Sequence, residues 1–239
     1  DDSAFSDLDE MFLRYHVLVF PQQNLTPEDH KAFACRWGEL VPFPYGGLPE
    51  HPEIIALQNR GKARDVNQHW HSDMTYEKRP PKLTMLYCLE APELGGETAF
   101  ANQHLAFARL SEGLKRTLAE ISALHTAEDL AALYGQDPQT ARRAEHPVVR
   151  SHDQTGDKAL YVCGAFTRRF TNWTRSESKP LLDFLFAHSV RPEFQIRHQW
   201  KPGDLVMWDN RSVLHFAVHD HGDEQRIIHR LQVLGSTPR

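Results

Sequence analysis

Two short motifs of histidine and aspartate are the residues of this sequence best suited to bind a metal ion. The first is His71-Ser72-Asp73 and the second is His221-Gly222-Asp223. In an extended strand, residues two apart project from the same face, so an imidazole and a carboxylate at this spacing can reach one ion. Because the pattern occurs twice, the spacing alone does not choose between the copies.

A third ligand would complete the first copy. His215 lies in the predicted strand 213–218, and two histidines with one carboxylate form the facial triad of non-haem iron(II) oxygenases. This triad leaves one side of the ion open for substrates. His71, Asp73 and His215 are therefore our candidate iron ligands and catalytic residues.

The second copy supports a rival site. A zinc site could be built from His215, His219, His221 and Asp223. These residues occupy a polar stretch that is typical of a solvated turn, and the zinc site leaves His71 and Asp73 without a role.

The surroundings of the first copy favour it. A turn at Gly95-Gly96 delivers the hydroxyl of Thr98, and His215 is preceded by Trp208-Asp209-Asn210-Arg211. Arg226 and Arg230 follow, and residues four apart in a strand share a face. Each of these residues also has a purely structural interpretation, since Thr98 is a good strand former, Trp208 a common core residue and the arginines ordinary surface ion pairs.

Taken in order, these segments resemble the TauD/TfdA family of Fe(II)- and 2-oxoglutarate-dependent dioxygenases over most of the chain, from Val17 to Pro238. The resemblance is carried by Trp70-His71-Ser72-Asp73, Gly95-Gly96-Glu97-Thr98, Trp208-Asp209-Asn210-Arg211 and Gln225-Arg226-Ile227-Ile228-His229-Arg230. It implies iron at His71, Asp73 and His215, the distal carboxylate of 2-oxoglutarate at Thr98 and Arg226, and substrate contacts at Asn67, Phe166 and Arg230. A guanidinium suits a carboxylate because it forms bidentate, charge-assisted hydrogen bonds.

The resemblance also implies the partners of the reaction. These are O2, 2-oxoglutarate and a small anionic organic substrate, with succinate and CO2 as products. An alkylsulfonate such as taurine, an alkyl sulfate and an aryloxyalkanoate all remain open, because the histidine that joins the sulfonate in taurine enzymes falls near Pro42 or Phe43, which cannot replace it. The alternative function is a metal-binding jelly-roll module or a zinc hydrolase without oxygenase turnover.

Many short strands and few helices surround these motifs. Helices are predicted at 7–16, 26–37, 105–124 and 177–190, and the remaining apolar runs are mainly strand-like. The pattern predicts a mainly β fold with flanking helices, a double-stranded β-helix or jelly roll. We expect one domain over residues 1–239, with the polar, irregular segment 126–144 as a candidate mobile lid.

Composition argues against nucleic acid as a partner and against a membrane span. The formal net charge of −5 gives no basic stripe for nucleic acid, and no apolar run is long enough to span a membrane. The three cysteines show no close spacing, which fits a reducing cytoplasm better than a disulfide framework. The family resemblance suggests a homodimer or homotetramer.

Overall fold

The computed structural model describes residues 2–42, 46–60 and 69–239. Its helices are α1 (Asp2–Tyr15), α2 (Pro27–Cys35), α3 (Gln103–Ala108), α4 (Glu112–Ala119), α5 (Glu128–Leu133) and α6 (Arg175–Ser189). Its strands are β1 (Val17–Phe20), β2 (Ile55–Arg60), β3 (Pro81–Glu90), β4 (Thr98–Asn102), β5 (Ser122–Thr126), β6 (Arg143–Pro147), β7 (Val149–Ser151), β8 (Lys158–Leu160), β9 (Thr167–Phe170), β10 (Gln195–His198), β11 (Leu205–Asp209), β12 (Val213–Ala217) and β13 (Gln225–Leu234).

Two sheets enclose the region of the predicted site. The larger has five antiparallel strands in the order β1-β11-β3-β13-β2, and the smaller has the order β10-β4-β12. One core cluster joins them, with Phe100 of β4 packed beside Trp208 of β11 and Ile228 of β13. The ring centroids of Phe100 and Trp208 lie 5.4 Å apart. The inner faces of the two sheets therefore meet, as expected for a mainly β fold with helices on the outside.

Side chains on the large sheet alternate between two environments. On β3, Leu83 and Met85 pack in the outer core beneath α1 and α2, where they join Phe12. Leu86 belongs to the inner core, and Thr84 shares its parity on the strand. The outer face thus carries the helices, and the inner face is free to carry the site.

Strand β13 follows the same rule with charged residues. Leu231 and Val233 belong to the outer core, whereas Ile228 belongs to the inner one. Arg226 and Arg230 share the parity of Ile228 and are buried. The prediction that the two arginines share a strand face is confirmed.

The predicted helix 105–124 is wrong. The chain forms α3 and α4 instead, with a break at Ser111, and then enters β5. The Ser111 side chain accepts a hydrogen bond from the backbone N–H of Leu114 and so begins a new helix. After α4 the chain becomes strand β5, which pairs with β6 and β9. The apolar periodicity does not reveal this long-range pairing.

Two local expectations near the site also need correction. His71 forms only an isolated antiparallel bridge with His215, and a turn begins at Asp73, so the first motif is not in a strand. Segment 126–144 is not irregular throughout, because it contains α5 and a short 3-10 turn at Pro138–Thr140. Its apolar residues pack against Phe166 and Met74. Its role as a moving lid stays a prediction.

Every helix in residues 2–42, 46–60 and 69–239 is too short or too polar to cross a bilayer.

Candidate active site

His71, Asp73 and His215 come together between the sheets. One potential ligand atom from each lies within 4.8 Å of the others, and all three residues are buried. Asp73 Oδ1 is 3.7 Å from Nε2 of each histidine. Paired backbone hydrogen bonds join the two histidines, and their ring centroids are 4.0 Å apart. His71 Nδ1 lies 2.7 Å from the His69 carbonyl oxygen, so a ring N–H there leaves Nε2 facing the other ligands.

The protonation states suit a metal. Burial raises the pKa of Asp73, but the neighbouring His215, Arg230 and His71 and a hydrogen bond from Thr84 outweigh burial and lower this pKa to about 2. Burial, followed by the neighbouring His71, lowers the pKa of His215 to about 3. Near neutral pH these two residues are an ionised carboxylate and a neutral imidazole, the forms that ligate metals.

The second carboxylate oxygen of Asp73 is held by the protein. Thr84 Oγ donates to Asp73 Oδ2 at 2.6 Å and accepts from Asn210 Nδ2 at 2.7 Å and Gln232 Nε2 at 3.3 Å. The Asn210 amide oxygen accepts from Trp208 Nε1 at 2.9 Å and from the Asp73 backbone N–H at 3.4 Å. These contacts turn Oδ1 toward the histidines. Sequence reasoning missed Thr84, whose signal is a polar residue on the inward face of a buried strand.

A cavity extends from His215 to the two arginines of β13. It is lined by Leu57, Leu86, Thr98, Trp208, His215, Ala217, Arg226 and Arg230. Arg226 Nη2 donates to Thr98 Oγ at 3.2 Å. The predicted carboxylate-binding residues Thr98 and Arg226 are thus together, on the same cavity as a candidate iron ligand.

The turn before Thr98 is shaped by glycines. Gly95 and Gly96 have φ values of 76° and 65°, and the Gly96 N–H donates to Asp220 Oδ1 at 2.9 Å. A Cβ at Gly96 would lie 2.8 Å from the ring of Pro92 and 3.4 Å from the Arg226 side chain. Glycine at this position therefore permits both the positive φ of the turn and its close packing against Pro92.

The predicted substrate residues are only partly described. Phe166 is buried, and its ring meets the edge of His71 with centroids 6.0 Å apart. Arg230 Nη1 lies 3.9 Å from Asp73 Oδ1. Asn67 and Phe43 lie outside the described residues, and Pro42 lines a separate open cleft.

The rival zinc site is not assembled. Within the described ranges, the only group of three such ligands close enough to share an ion is His71, Asp73 and His215. His221 is buried beside Gly96, where its Nδ1 lies 3.0 Å from the Glu224 carbonyl oxygen. It packs the loop against the glycine turn.

The motif Trp208-Asp209-Asn210-Arg211 contributes hydrogen bonds to the site through Asn210 and a buried ion-pair cluster through Asp209 and Arg211. Burial raises the pKa of Asp209, but Arg211 and a hydrogen bond from His152 hold it well below its usual range. His152 Nε2 and Arg211 Nε each lie 2.8 Å from the Asp209 carboxylate. This buried cluster fixes the turn from which Asn210 reaches Thr84.

The donor set fits Fe(II). Two imidazole nitrogens and one carboxylate oxygen on one side of an ion are the ligands of non-haem iron oxygenases, and structural zinc sites instead use four protein ligands. Burial raises the pKa of Cys88 to about 12 and also raises that of Cys163, so both thiols stay protonated near neutral pH and are poor metal ligands.

Comparison with known proteins agrees with this chemistry. The model of the family described as "Taurine catabolism dioxygenase TauD, TfdA family" matches residues 1–232. An alkylsulfatase of Acinetobacter baylyi is 33% identical over 249 residues, covering 98% of this chain and 78% of the relative. An alpha-ketoglutarate-dependent sulfate ester dioxygenase of Pseudomonas putida is 31% identical over 252 residues, covering 100% of this chain and 83% of the relative.

A solved structure of a taurine dioxygenase has a similar fold. The crystal structure of a taurine dioxygenase from Burkholderia xenovorans matches with a TM-score of 0.88 and 32% identity, covering 100% of this chain and 83% of that one. The predicted jelly roll is confirmed, and a zinc hydrolase or a module without turnover is not favoured. The chain belongs to the TauD/TfdA family and is a dioxygenase that uses Fe(II) and 2-oxoglutarate.

Proposed function

We propose that His71, Asp73 and His215 hold the iron and that Thr98 and Arg226 bind the distal carboxylate of 2-oxoglutarate. The convergence of the three donor atoms supports the first assignment. The cavity that joins His215 to Arg226 supports the second. Bound Fe(II) and 2-oxoglutarate supply the oxidising power that places one oxygen atom of O2 on a substrate C–H bond, with succinate and CO2 as coproducts.

The protein residues bind and orient the reactants. Arg226 offers parallel N–H donors that match both oxygens of a carboxylate, and Thr98 adds a hydroxyl beside it. The apolar residues Leu57 and Leu86 and the ring of Trp208 line the same cavity and limit the access of water. Low water content strengthens the attraction between Arg226 and the carboxylate.

We propose a small organic sulfate ester as the substrate, with its anionic group bound by Arg230. The observation that carries this proposal is the position of Arg230, which is buried on the cavity and lies 3.9 Å from the iron-ligand candidate Asp73. A guanidinium there can hold an anionic group while the adjoining carbon faces the metal. The two named relatives, an alkylsulfatase and a sulfate ester dioxygenase, support sulfate over the other anions.

The products follow from the position of hydroxylation. Placing a hydroxyl on the carbon that bears the sulfate oxygen gives a hemiacetal-like ester. Its C–O bond to sulfate breaks as the hydroxyl loses its proton, which yields an aldehyde and sulfate. Taurine is less favoured, because Pro42 near the expected histidine position cannot donate a hydrogen bond to a sulfonate.

A substrate series tests this proposal. O2 consumption, succinate and released sulfate or sulfite should be measured with a medium-chain alkyl sulfate, taurine and an aryloxyalkanoate. We expect the alkyl sulfate to give the highest kcat/KM, with equal amounts of succinate and sulfate. A wide preference for taurine, or O2 consumption that no substrate stimulates, would contradict the proposal.

Three further expectations stay predictions. We propose a homodimer or homotetramer, a cytoplasmic location and a lid function for segment 126–144. Light scattering measures the first and fractionation of the source cells the second. For the third, added substrate together with Fe(II) and 2-oxoglutarate should slow proteolysis of 126–144 relative to α6.

A further inference from the structure

Trp200 lies behind the cosubstrate cavity and was not among the predicted site residues. It is almost fully buried at 1% exposure. Its indole Nε1 donates to Thr98 Oγ at 3.0 Å, and Arg226 Nη2 reaches the same oxygen at 3.2 Å. The centre of the Arg226 guanidinium also lies 5.6 Å from the Trp200 ring centroid.

These contacts determine where the Thr98 hydroxyl proton points. A hydroxyl has two lone pairs and one proton, whereas an indole N–H and a guanidinium can only donate. Trp200 and Arg226 therefore occupy both lone pairs of Thr98 Oγ. The proton must take the remaining direction, and Thr98 lines the cavity beside Arg226.

The Trp200 ring is held so that its N–H cannot turn away. The His198 ring packs edge-on against it with centroids 4.8 Å apart, and His198 Nε2 lies 3.1 Å from Asp204 Oδ2. A buried indole N–H needs an acceptor. Here the acceptor is a side-chain hydroxyl at the proposed carboxylate site, not a backbone carbonyl.

We propose that Trp200 is a positioning residue, which fills one lone pair of Thr98 and so fixes the Thr98 hydroxyl as a donor to the distal carboxylate of 2-oxoglutarate. This inference rests on the proposed cosubstrate site. Trp200 donates to Thr98 and packs beside Arg226, and its role is to position a binding residue. Its effect reaches the cosubstrate through the Thr98 hydroxyl.

Anaerobic binding titrations test the proposal without turnover. The visible charge-transfer band of an iron(II)–2-oxo acid complex reports binding of 2-oxoglutarate and of 2-oxobutyrate, which lacks the distal carboxylate. We expect Trp200→Phe to weaken 2-oxoglutarate by about three- to tenfold, part of the value of a hydrogen bond to a charged group. The affinity for 2-oxobutyrate should change by less than about twofold.

A double-mutant cycle gives the decisive comparison. In a Thr98→Val background the hydroxyl is gone, so Trp200→Phe should no longer affect 2-oxoglutarate binding selectively. Thr98→Ser keeps the hydroxyl and should bind 2-oxoglutarate like the unmodified protein. Trp173→Phe, at a half-exposed tryptophan elsewhere on the chain, is the matched control.

The outcomes separate this inference from the function on which it rests. If the unmodified protein prefers 2-oxoglutarate but Trp200→Phe leaves that preference intact, or weakens both ligands equally, the role of Trp200 is refuted alone. If the unmodified protein does not distinguish the two ligands, the proposed carboxylate site fails and the role of Trp200 fails with it.

A second measurement serves if Trp200→Phe does not fold. The chain has five tryptophans, and so five indole N–H resonances in a nitrogen-15 spectrum. One and the same indole resonance should shift with Thr98→Val and with binding of 2-oxoglutarate. A spectrum in which no single indole resonance responds to both changes would overturn the proposal.

Discussion

The hydroxyl of Thr84 should control both metal affinity and the stability of the metal-free protein. Thr84→Val keeps the side-chain shape but removes the hydroxyl that donates to Asp73 Oδ2 and accepts from Asn210 and Gln232. Without it, the Asp73 carboxylate can rotate. The Asn210 amide is left with a donor buried between strands.

The magnitude follows from the two lost interactions. A hydrogen bond to a charged group contributes about 1.5–3 kcal/mol, and an unsatisfied buried donor costs about 1–3 kcal/mol. Relaxation recovers part of the sum, so we expect a loss of about 3 kcal/mol in the free energy of unfolding. For a chain of this length, that lowers the Tm of the metal-free protein by about 6–12 °C. Loss of the contact that orients a metal ligand should weaken metal binding by about 10–100-fold.

Competition with a metal chelator measures the affinity, and calorimetry of the metal-free protein measures the stability. Thr84→Ser is the matched control, because it retains the hydroxyl at the same position on β3. The serine variant should bind Fe(II) within about threefold of the unmodified protein, since its hydrogen bond to Asp73 is preserved. Equal metal affinity for Thr84→Val and the unmodified protein, or equal losses for both variants, would refute the reasoning.

Four other predictions test separate parts of the structure. His71→Ala should abolish iron binding measured by metal analysis, whereas His221→Ala should retain it; the reverse result would move the site to the second motif. Arg226→Lys replaces a bidentate donor by a point charge and should weaken 2-oxoglutarate by about tenfold or more in the same anaerobic titration, and unchanged affinity would remove Arg226 from the site. Gly96→Ala, at a φ of 65°, should cost about 1–2 kcal/mol of stability in thermal unfolding, and a neutral effect would show that the turn adapts. Burial is the main cause that lowers the pKa of His30 from 6.5 to about 3. Between these pH values His30 is protonated in the unfolded chain but neutral in the folded chain. The free energy of unfolding therefore falls as pH falls from 6.5 to about 3. His30→Leu should reduce the slope of unfolding free energy against pH by about 1.4 kcal/mol per unit between pH 6 and 4, as followed by denaturant titration, and an unchanged slope would contradict a neutral buried imidazole.

Local signals predicted the elements whose causes are local. Helix α2 begins as expected, because Thr26 and Asp29 form a reciprocal cap in front of a proline in the first turn. The shared strand face of Arg226 and Arg230 followed from strand alternation alone, whereas its inward direction did not. The apolar stripe of 105–124 misled, because it continues across Ser111 without a break in periodicity. The end of that helix depends on pairing of β5 with strands that come later in the chain.

The supporting residues of the site could not be predicted, because their partners are distant in sequence. The hydrogen bond from Asn210 to Thr84 spans 126 positions, and that from Trp200 to Thr98 spans 102. A threonine in a strand and a buried tryptophan look the same whether they serve a core or a site. Only the register between β3, β4 and the strands near the C-terminus gives them a function.

The choice between the two His-x-Asp motifs illustrates what assembles a metal site. Burial of the histidine does not separate the motifs, because His71 and His221 are both buried, although Asp73 is buried and Asp223 is exposed. Extended backbone does not separate them either, since a turn begins at Asp73. A further difference is that His71 pairs its backbone with His215 on the edge of the small sheet, which fixes the third ligand beside the first two. A pair of ligands becomes a site where backbone pairing brings the third, and a sequence reveals this only when the strand carrying the third ligand can be placed against the motif.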